Sequence, residues 1–477
     1  MVGMQYNHPT VIVLLGATGD LATRKLLPAL YDLYVRGALP DHWQLIGAAF
    51  DEYDDDSFRN HVRDLLGSDR PQLEEFLTRI RYVMGDFADD AFYHQVRKTV
   101  FAFNDFIGQC SNVLYYLAVP PKLYGMMFDQ LARTKSLGIC DGTGAWARLL
   151  VEKPFGNDIA TAHALEEQLS ALFADEQIYR IDHYLGKSEI ENVLALRFGN
   201  SMLMHLWNTE AIESIDVTLY EDFGVEDRGA FYDGVGALRD VGQNHLLQII
   251  ALLLMESADI TDATAFRAAR AKVVDNLRFD STVVPPVRGQ YEGYRSIRGV
   301  APESETETFF RFGIKSVDPR WLQIPIRVAA GKSLQEHAQE ARITFRPVAL
   351  EEVGMQCQTG SHTNVLRIIF RPEPRLCLQL ATRDSGHTLA VATHEYELVT
   401  NRESVDEPDA YARILLDCIR GDQMRFVSRD EVAAAWRLME TADRELKSHP
   451  LHTYKSGSDA ATIGVGEKSA TDEDSMR

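Results

Sequence analysis

The sequence predicts a two-domain protein: an α/β domain built on a parallel, doubly wound sheet, then an α+β domain with a large, mainly antiparallel sheet. Three observations predict it. The 477 residues exceed what one hydrophobic core ordinarily serves, so the chain should divide. Its first part alternates short apolar strands with amphipathic helices, the pattern of a parallel sheet covered on both faces. Beyond about residue 186 the texture becomes a succession of strands with few helices between them, which suits antiparallel pairing. The expected division is 1–185, 186–455 and a small, polar, aperiodic tail over 456–477 that is expected to be disordered.

The first strand is read at Val11–Leu15, an apolar run stopped by Gly16. A helix follows with Leu27, Leu30, Tyr31 and Tyr34 on one stripe, Pro28 in an early turn, and Gly37 and Pro40 closing it. Gln44–Phe50 reads as the second strand, and Val113–Val119, Arg148–Glu152 and Ile178–Ile181 as later ones. In the second domain Ser214–Phe223 alternates apolar and polar positions, and a long helix is expected over Asp240–Met255. Glu307–Lys315, Pro325–Ala330, Arg342–Pro347, Asn364–Arg371, Leu376–Thr382 and Glu395–Val399 then supply the antiparallel sheet.

Composition narrows the function. The longest apolar run in a helix, around Leu246–Met255, is too short to span a bilayer. Met1–Thr10 lacks a basic start followed by an apolar stretch, so a cytoplasmic protein without a membrane partner is expected. A net charge of -21 opposes nucleic-acid binding. A small anionic substrate would need its own basic pocket in so acidic a chain. The five cysteines, Cys110, Cys140, Cys357, Cys377 and Cys418, are scattered singly, and no pair has metal-ligand spacing. Reduced buried thiols and no metal site are expected.

Five segments carry chemistry. Gly16-Ala17-Thr18-Gly19-Asp20-Leu21-Ala22 follows the first strand and opens a helix. Its spacing alone is also that of a plain tight turn, but the strand–turn–helix context is what a phosphate-cradling dinucleotide turn requires. At the end of the second strand, Phe50-Asp51-Glu52 offers acids and no base. A carboxylate there accepts from an adenosine ribose, whereas a basic residue accommodates a 2′-phosphate; a solvated acidic turn is the alternative. Glu152-Lys153-Pro154 ends another strand and would aim Lys153 into the crevice at its carboxyl end, with Pro154 a candidate for a cis bond. Arg180–Lys187 places His183, Tyr184 and Lys187, all donors suited to a phosphate monoester, after a further strand, together with Asp182, which could orient an imidazole. In Leu238–His245, His245 suits the base that takes a hydroxyl proton as hydride leaves. Asp240 and His245 are five apart, which is not one α-helical face.

Taken in order, these segments resemble the glucose-6-phosphate dehydrogenase family. The likeness adds Lys25, Glu221-Asp222-Phe223-Gly224-Val225-Glu226-Asp227-Arg228-Gly229, Phe231-Tyr232-Asp233, Gly236–Gln248, Val300–Thr308, Gly331-Lys332 and Gly421–Trp436. It implies a Rossmann-like coenzyme domain and an α+β substrate domain, a homodimer or homotetramer, and oxidation of C1 of glucose 6-phosphate to 6-phosphogluconolactone, the entry to the pentose phosphate pathway. By matching position, His245 would be the base and Asp182 its orienting acid. His183, Tyr184 and Lys187 would hold the phosphate with Lys332 nearby, and Glu221 and Asp240 would accept from sugar hydroxyls. Lys25 and Lys153 would lie between sugar and coenzyme. Gly16, Ala17, Thr18, Gly19, Asp20, Leu21, Asp51, Asp86 and Phe87, with Lys153, are the expected coenzyme contacts.

Two departures matter. Where the family shows Ala-Arg after the second strand, this chain has Ala49-Phe50. The resemblance favours NADP, while Phe50-Asp51 favours NAD. The basic residue usual after Gly-Lys is here His337, which bears on substrate affinity or sugar identity. A sugar dehydrogenase of glucose–fructose oxidoreductase type would share the coenzyme domain and the Glu-Lys-Pro turn but not the order of Arg180–Lys187 and Arg239–His245. A non-catalytic regulatory paralogue would be expected to lack His245, Asp182 or Lys187, all of which are present.

Overall fold

The computed structural model describes residues 8–137, 144–259, 261–347, 356–357, 363–383, 390–398 and 408–464. They form two compact units.

The first unit comprises Met1–Glu191, Glu256–Ala271 and Glu403–Ala433. Its strands are β1 (Thr10–Leu15), β2 (Trp43–Ala49), β3 (Ile80–Met84), β4 (Asn112–Leu117), β5 (Ala147–Glu152), β6 (Ile178–Ile181) and β17 (Phe426–Val427). They lie in the order β17-β6-β5-β4-β1-β2-β3. All neighbours are parallel except the β17–β6 pair. This is the strand order of a Rossmann sheet with one antiparallel edge strand added. The central strands β1 and β4 are buried along their whole length, as a sheet covered on both faces requires. Helix Leu27–Val35 carries Pro28 in its first turn, as expected. The return segment belongs here because helix Ala410–Arg420 buries Ile414, Leu415 and Cys418 in the core that holds Leu27, Leu30 and Leu45.

The second unit comprises Asn192–Met255, Lys272–Arg402 and Ala434–Arg477. Its strands are β7 (Ile212–Tyr220), β8 (Leu277–Phe279), β9 (Val287–Tyr291), β10 (Phe309–Ser316), β11 (Ile326–Gly331), β12 (Ala338–Phe345), β13 (Gln356–Cys357), β14 (Val365–Arg371), β15 (Arg375–Arg383), β16 (Ala390–Leu398) and β18 (Leu451–Tyr454). They make an 11-stranded sheet, β13-β16-β15-β14-β12-β7-β11-β10-β9-β18, with β8 on β10. Pairing is mainly antiparallel, with parallel pairs at β7–β11, β9–β18 and β13–β16.

Four features depart from the expectations. The first unit is discontinuous, gathering two later segments. Residues 456–464 are folded: Ser458 bridges to Leu334, and Ile463 is buried beside Val287 and Tyr454; residues 465–477 lie outside the described residues. The long helix is π-helical over Leu238–Leu246 and α-helical only over Leu247–Leu254. Cys377 and Cys418 are free and buried, but Cys110 is disulfide-bonded, against the expectation of reduced thiols throughout.

Candidate active site

In the first unit, every residue expected at the site follows the carboxyl end of a parallel strand, where open α/β sheets bind ligands. Gly16 ends β1 with φ +91°, and a Cβ there would stand 2.5 Å from the Ala118 carbonyl oxygen. Only glycine fits. Its amide donates to the Ala48 carbonyl at 2.8 Å, and the Gly19 amide donates to Gly16 at 3.0 Å, which closes the turn. Ala17, Thr18, Asp20 and Leu21 then lead into the π-helical turn Ala22–Leu26, on which Lys25 is exposed. Glycines at 16 and 19 leave the backbone open to close approach at the mouth of a helix, the cradle a dinucleotide pyrophosphate needs, so the turn fits that group.

After β2, Asp51 accepts a 2.5 Å hydrogen bond from the Thr18 hydroxyl. Phe50 is 56% exposed, and its ring lies 4.6 Å from that of Phe87, which follows β3. Asp86 turns its carboxylate back on the Ala88 amide at 2.9 Å. Arg24, on the helical turn that follows Gly16–Leu21, pairs with Asp20 at 2.6 Å.

Lys153 directly follows β5 and is joined to Pro154 by a cis bond. Beside it, Glu152 accepts 2.6 Å from the Tyr116 hydroxyl. Desolvation pushes the Glu152 carboxyl up to about 7, with the Tyr116 hydrogen bond and Lys153 pulling the other way and Asp182 adding to the rise. After β6 the chain turns on itself: Leu185, Gly186 and Lys187 amides donate to the Asp182, His183 and Tyr184 carbonyls. Asp182 is fully buried, and one of its carboxylate oxygens accepts from the Tyr184 amide at 3.0 Å. The His183 ring stacks on Tyr411, and the Lys187 ammonium sits 3.6 Å over the Tyr184 ring. Gly186 lets the loop close on helix Ala410–Arg420, since a Cβ there would meet the Ala410 oxygen at 3.0 Å. This segment is thus a packed element and not a surface loop.

In the second unit, Glu221 follows β7 and Lys332 follows β11. These strands are parallel neighbours with Tyr220 opposite Gly331, so the two residues emerge side by side. The Glu221 amide donates to Gly331 at 2.9 Å. The Lys332 ammonium, almost fully buried, donates to the Glu221 carboxylate and lies 4.0 Å from Asp240. Asp240 and His245 both belong to the π-helical segment. There, hydrogen bonds run i to i+5, so residues five apart are neighbours along the wall, which an α-helix would not allow. His245 is buried with Gln243 and Asn244. Gly242 permits close packing on Phe310, whose ring carbon would lie 3.0 Å from an added Cβ. Glu307 accepts from the Leu238 amide at 3.0 Å and so caps the segment. His337, just before β12, pairs with Asp222 at 3.1 Å.

The sequence alone gives no site role to two of these groups. Glu152 with Tyr116 couples residues from adjacent strands, and only sheet order reveals it. In the sequence Tyr232 figures only as part of the family likeness, yet its ring lies 5.6 Å from the Lys332 ammonium. The last residue of Phe231-Tyr232-Asp233 is structural. Asp233 accepts from Thr306, Ser304, Tyr294 and the Ala301 amide and fixes the loop that carries Val300–Thr308.

Fold and turn together define the class: a two-unit protein with a Rossmann-like, dinucleotide-binding first unit. The models of the glucose-6-phosphate dehydrogenase NAD binding domain and C-terminal domain match residues 13–192 and 194–465. The chain belongs to the glucose-6-phosphate dehydrogenase family. It is 36% identical to glucose-6-phosphate 1-dehydrogenase 6, cytoplasmic, of Arabidopsis thaliana, over 94% of this chain and 88% of that one. It is also 36% identical to glucose-6-phosphate 1-dehydrogenase of Gluconobacter oxydans, over 96% of both. A solved glucose-6-phosphate dehydrogenase in complex with its substrate glucose-6-phosphate superposes with a TM-score of 0.86 at 32% identity, covering 96% of each chain. The enzyme from Mycobacterium avium superposes with 0.80 at 32% identity, covering 94% of this chain and 95% of that one.

Proposed function

We propose that this protein oxidises glucose 6-phosphate at C1 to 6-phosphogluconolactone in the cytoplasm, as a homodimer or homotetramer. The observation that carries the reading is the Glu221–Lys332–Asp240 cluster beside the π-helical His245. Two carboxylates and an ammonium, largely shielded from water, form a polyol-reading wall within the unit that carries the base. His245 takes the C1 hydroxyl proton, and Asp182 is the acid that orients the imidazole and steadies its charged form. His183, Tyr184 and Lys187 hold the 6-phosphate, with Lys332 near it, while Glu221 and Asp240 accept from ring hydroxyls. Lys25 and Lys153 lie between sugar and coenzyme. Gly16–Leu21, Asp51, Asp86, Phe87 and Lys153 hold the nicotinamide dinucleotide, which supplies the hydride acceptor. His245→Asn is expected to lower kcat by roughly two to four orders of magnitude with little change in substrate affinity. A near-normal kcat would remove His245 from the chemistry.

For the coenzyme, the reading is NAD preference or dual use. The Thr18 hydroxyl donates to Asp51, Arg24 is paired with Asp20, and Phe50 brings no charge. A ribose diol donates to Asp51, whereas a 2′-phosphate meets that carboxylate without a bidentate partner.

A further inference from the structure

Tyr232 ends the short helix Gly229–Tyr232 and is 0% exposed. Its ring packs edge-on to Tyr294 within a core that includes Val225, Phe309, Leu334 and Tyr454. Packing accounts for the ring, but not for the hydroxyl. That oxygen is buried and makes no hydrogen bond among the described residues. A buried hydroxyl left unsatisfied is destabilising, and phenylalanine would fill the same volume without that cost.

The ring borders the polar wall just described. The Lys332 ammonium stands 5.6 Å from the ring centre and bridges Glu221 and Asp240. Burial raises the phenol well above its ordinary range, and the carboxylates of Asp240, Glu307 and Glu221 add to the effect, together with Tyr454. Tyr232 therefore remains a neutral donor at any working pH. The backbone next to it is locked, because Asp233 is held by Ser304, Thr306, Tyr294 and the Ala301 amide.

We infer that Tyr232 is a positioning residue whose hydroxyl donates to the Asp240 carboxylate in the substrate-bound protein, directly or through one bridging water, and so sets which sugar hydroxyl configuration that carboxylate accepts. The inference rests on the assignment of Asp240 as a sugar acceptor made above. Asp240 lies 4.0 Å from the same Lys332 ammonium that stands over the Tyr232 ring, which places it in the wall bordering the phenol. Glu307 accepts from the Leu238 amide and so fixes the segment that carries Asp240. A donor lost from a carboxylate that reads substrate weakens discrimination more than it weakens the fold.

The test is a double-mutant cycle of Tyr232→Phe and Asp240→Asn, read by kcat and KM for glucose 6-phosphate and its epimeric hexose 6-phosphates, and by Tm. Tyr232→Phe is expected to keep Tm or raise it slightly. It should lower kcat/KM for glucose 6-phosphate about 10-fold, narrow its margin over the epimers by a similar factor, and leave KM for the coenzyme unchanged. In the Asp240→Asn background the same change should cost less than about twofold, because the donor then has no carboxylate to position. A Tyr232→Phe protein with raised Tm and wild-type kinetics would overturn the inference, as would equal losses in both backgrounds. If Asp240→Asn alone leaves kcat/KM and the epimer margin intact, the assignment of Asp240 fails first, and the inference falls with it.

Discussion

At the residue scale, coenzyme choice turns on a few side chains at one strand end. Phe50 and Asp51 stand out in the sequence because an arginine is expected there. The sequence does not show that Asp51 is already engaged by Thr18, or that Phe50 lies against Phe87. Both are contacts between separate strand ends, set by the order of β1, β2 and β3. Phe50→Arg would supply a bidentate donor at that mouth, worth about 1.5–3 kcal/mol against a phosphate. The ratio of kcat/KM for NADP over that for NAD should therefore rise by roughly one to two orders of magnitude. An unchanged ratio would show that the 2′ position is read elsewhere. Tyr232 is the opposite case. An aromatic residue in a helix carries no sign of an unsatisfied hydroxyl until its neighbours are placed.

At the scale of elements, most strands are legible because their apolar runs end on glycine, proline or a charged turn. The strand β3, Ile80–Met84, is not. It is a short edge strand whose Arg81 faces Asp55 and breaks the apolar run. The pair β9–β18 joins residues far apart in sequence, so no local pattern announces it. The helix of Asp240 and His245 is legible as a helix but not as a π-helical one, because periodicity over nine residues does not separate the two. The end of β5 yields a pH prediction. Glu152 has a folded pKa of about 7 against an ordinary 4.5. A raised carboxyl contributes stability that is complete below 4.5 and is lost as pH rises through about 7. Glu152→Gln cannot ionise, so Tm should fall less between pH 4.5 and about 7 in the variant than in the wild type. Parallel curves would show that Glu152 does not titrate in this range.

At the scale of the whole molecule, the two-unit architecture and the sheet types follow from how strands and helices alternate. The discontinuity of the first unit does not. Helix Ala410–Arg420 is amphipathic in sequence, but amphipathicity does not say which core its apolar face joins. Ile414, Leu415 and Cys418 answer that only by their burial beside Leu27 and Leu45. Residues 456–464 are similar: Ile463 follows small residues without periodicity, and it is buried against β9. The acidic balance of -21 had one clear consequence, that an anionic substrate needs local cations, and Lys187 and Lys332 are candidates to meet it. The decisive measurement is steady-state kinetics of the wild-type protein with NAD and NADP on a panel of hexose 6-phosphates and free glucose. The expected result is a kcat/KM highest for glucose 6-phosphate, far above that for free glucose, with NAD used at least as well as NADP. Absence of turnover with glucose 6-phosphate under either coenzyme, or a higher kcat/KM for another sugar of the panel, would contradict it.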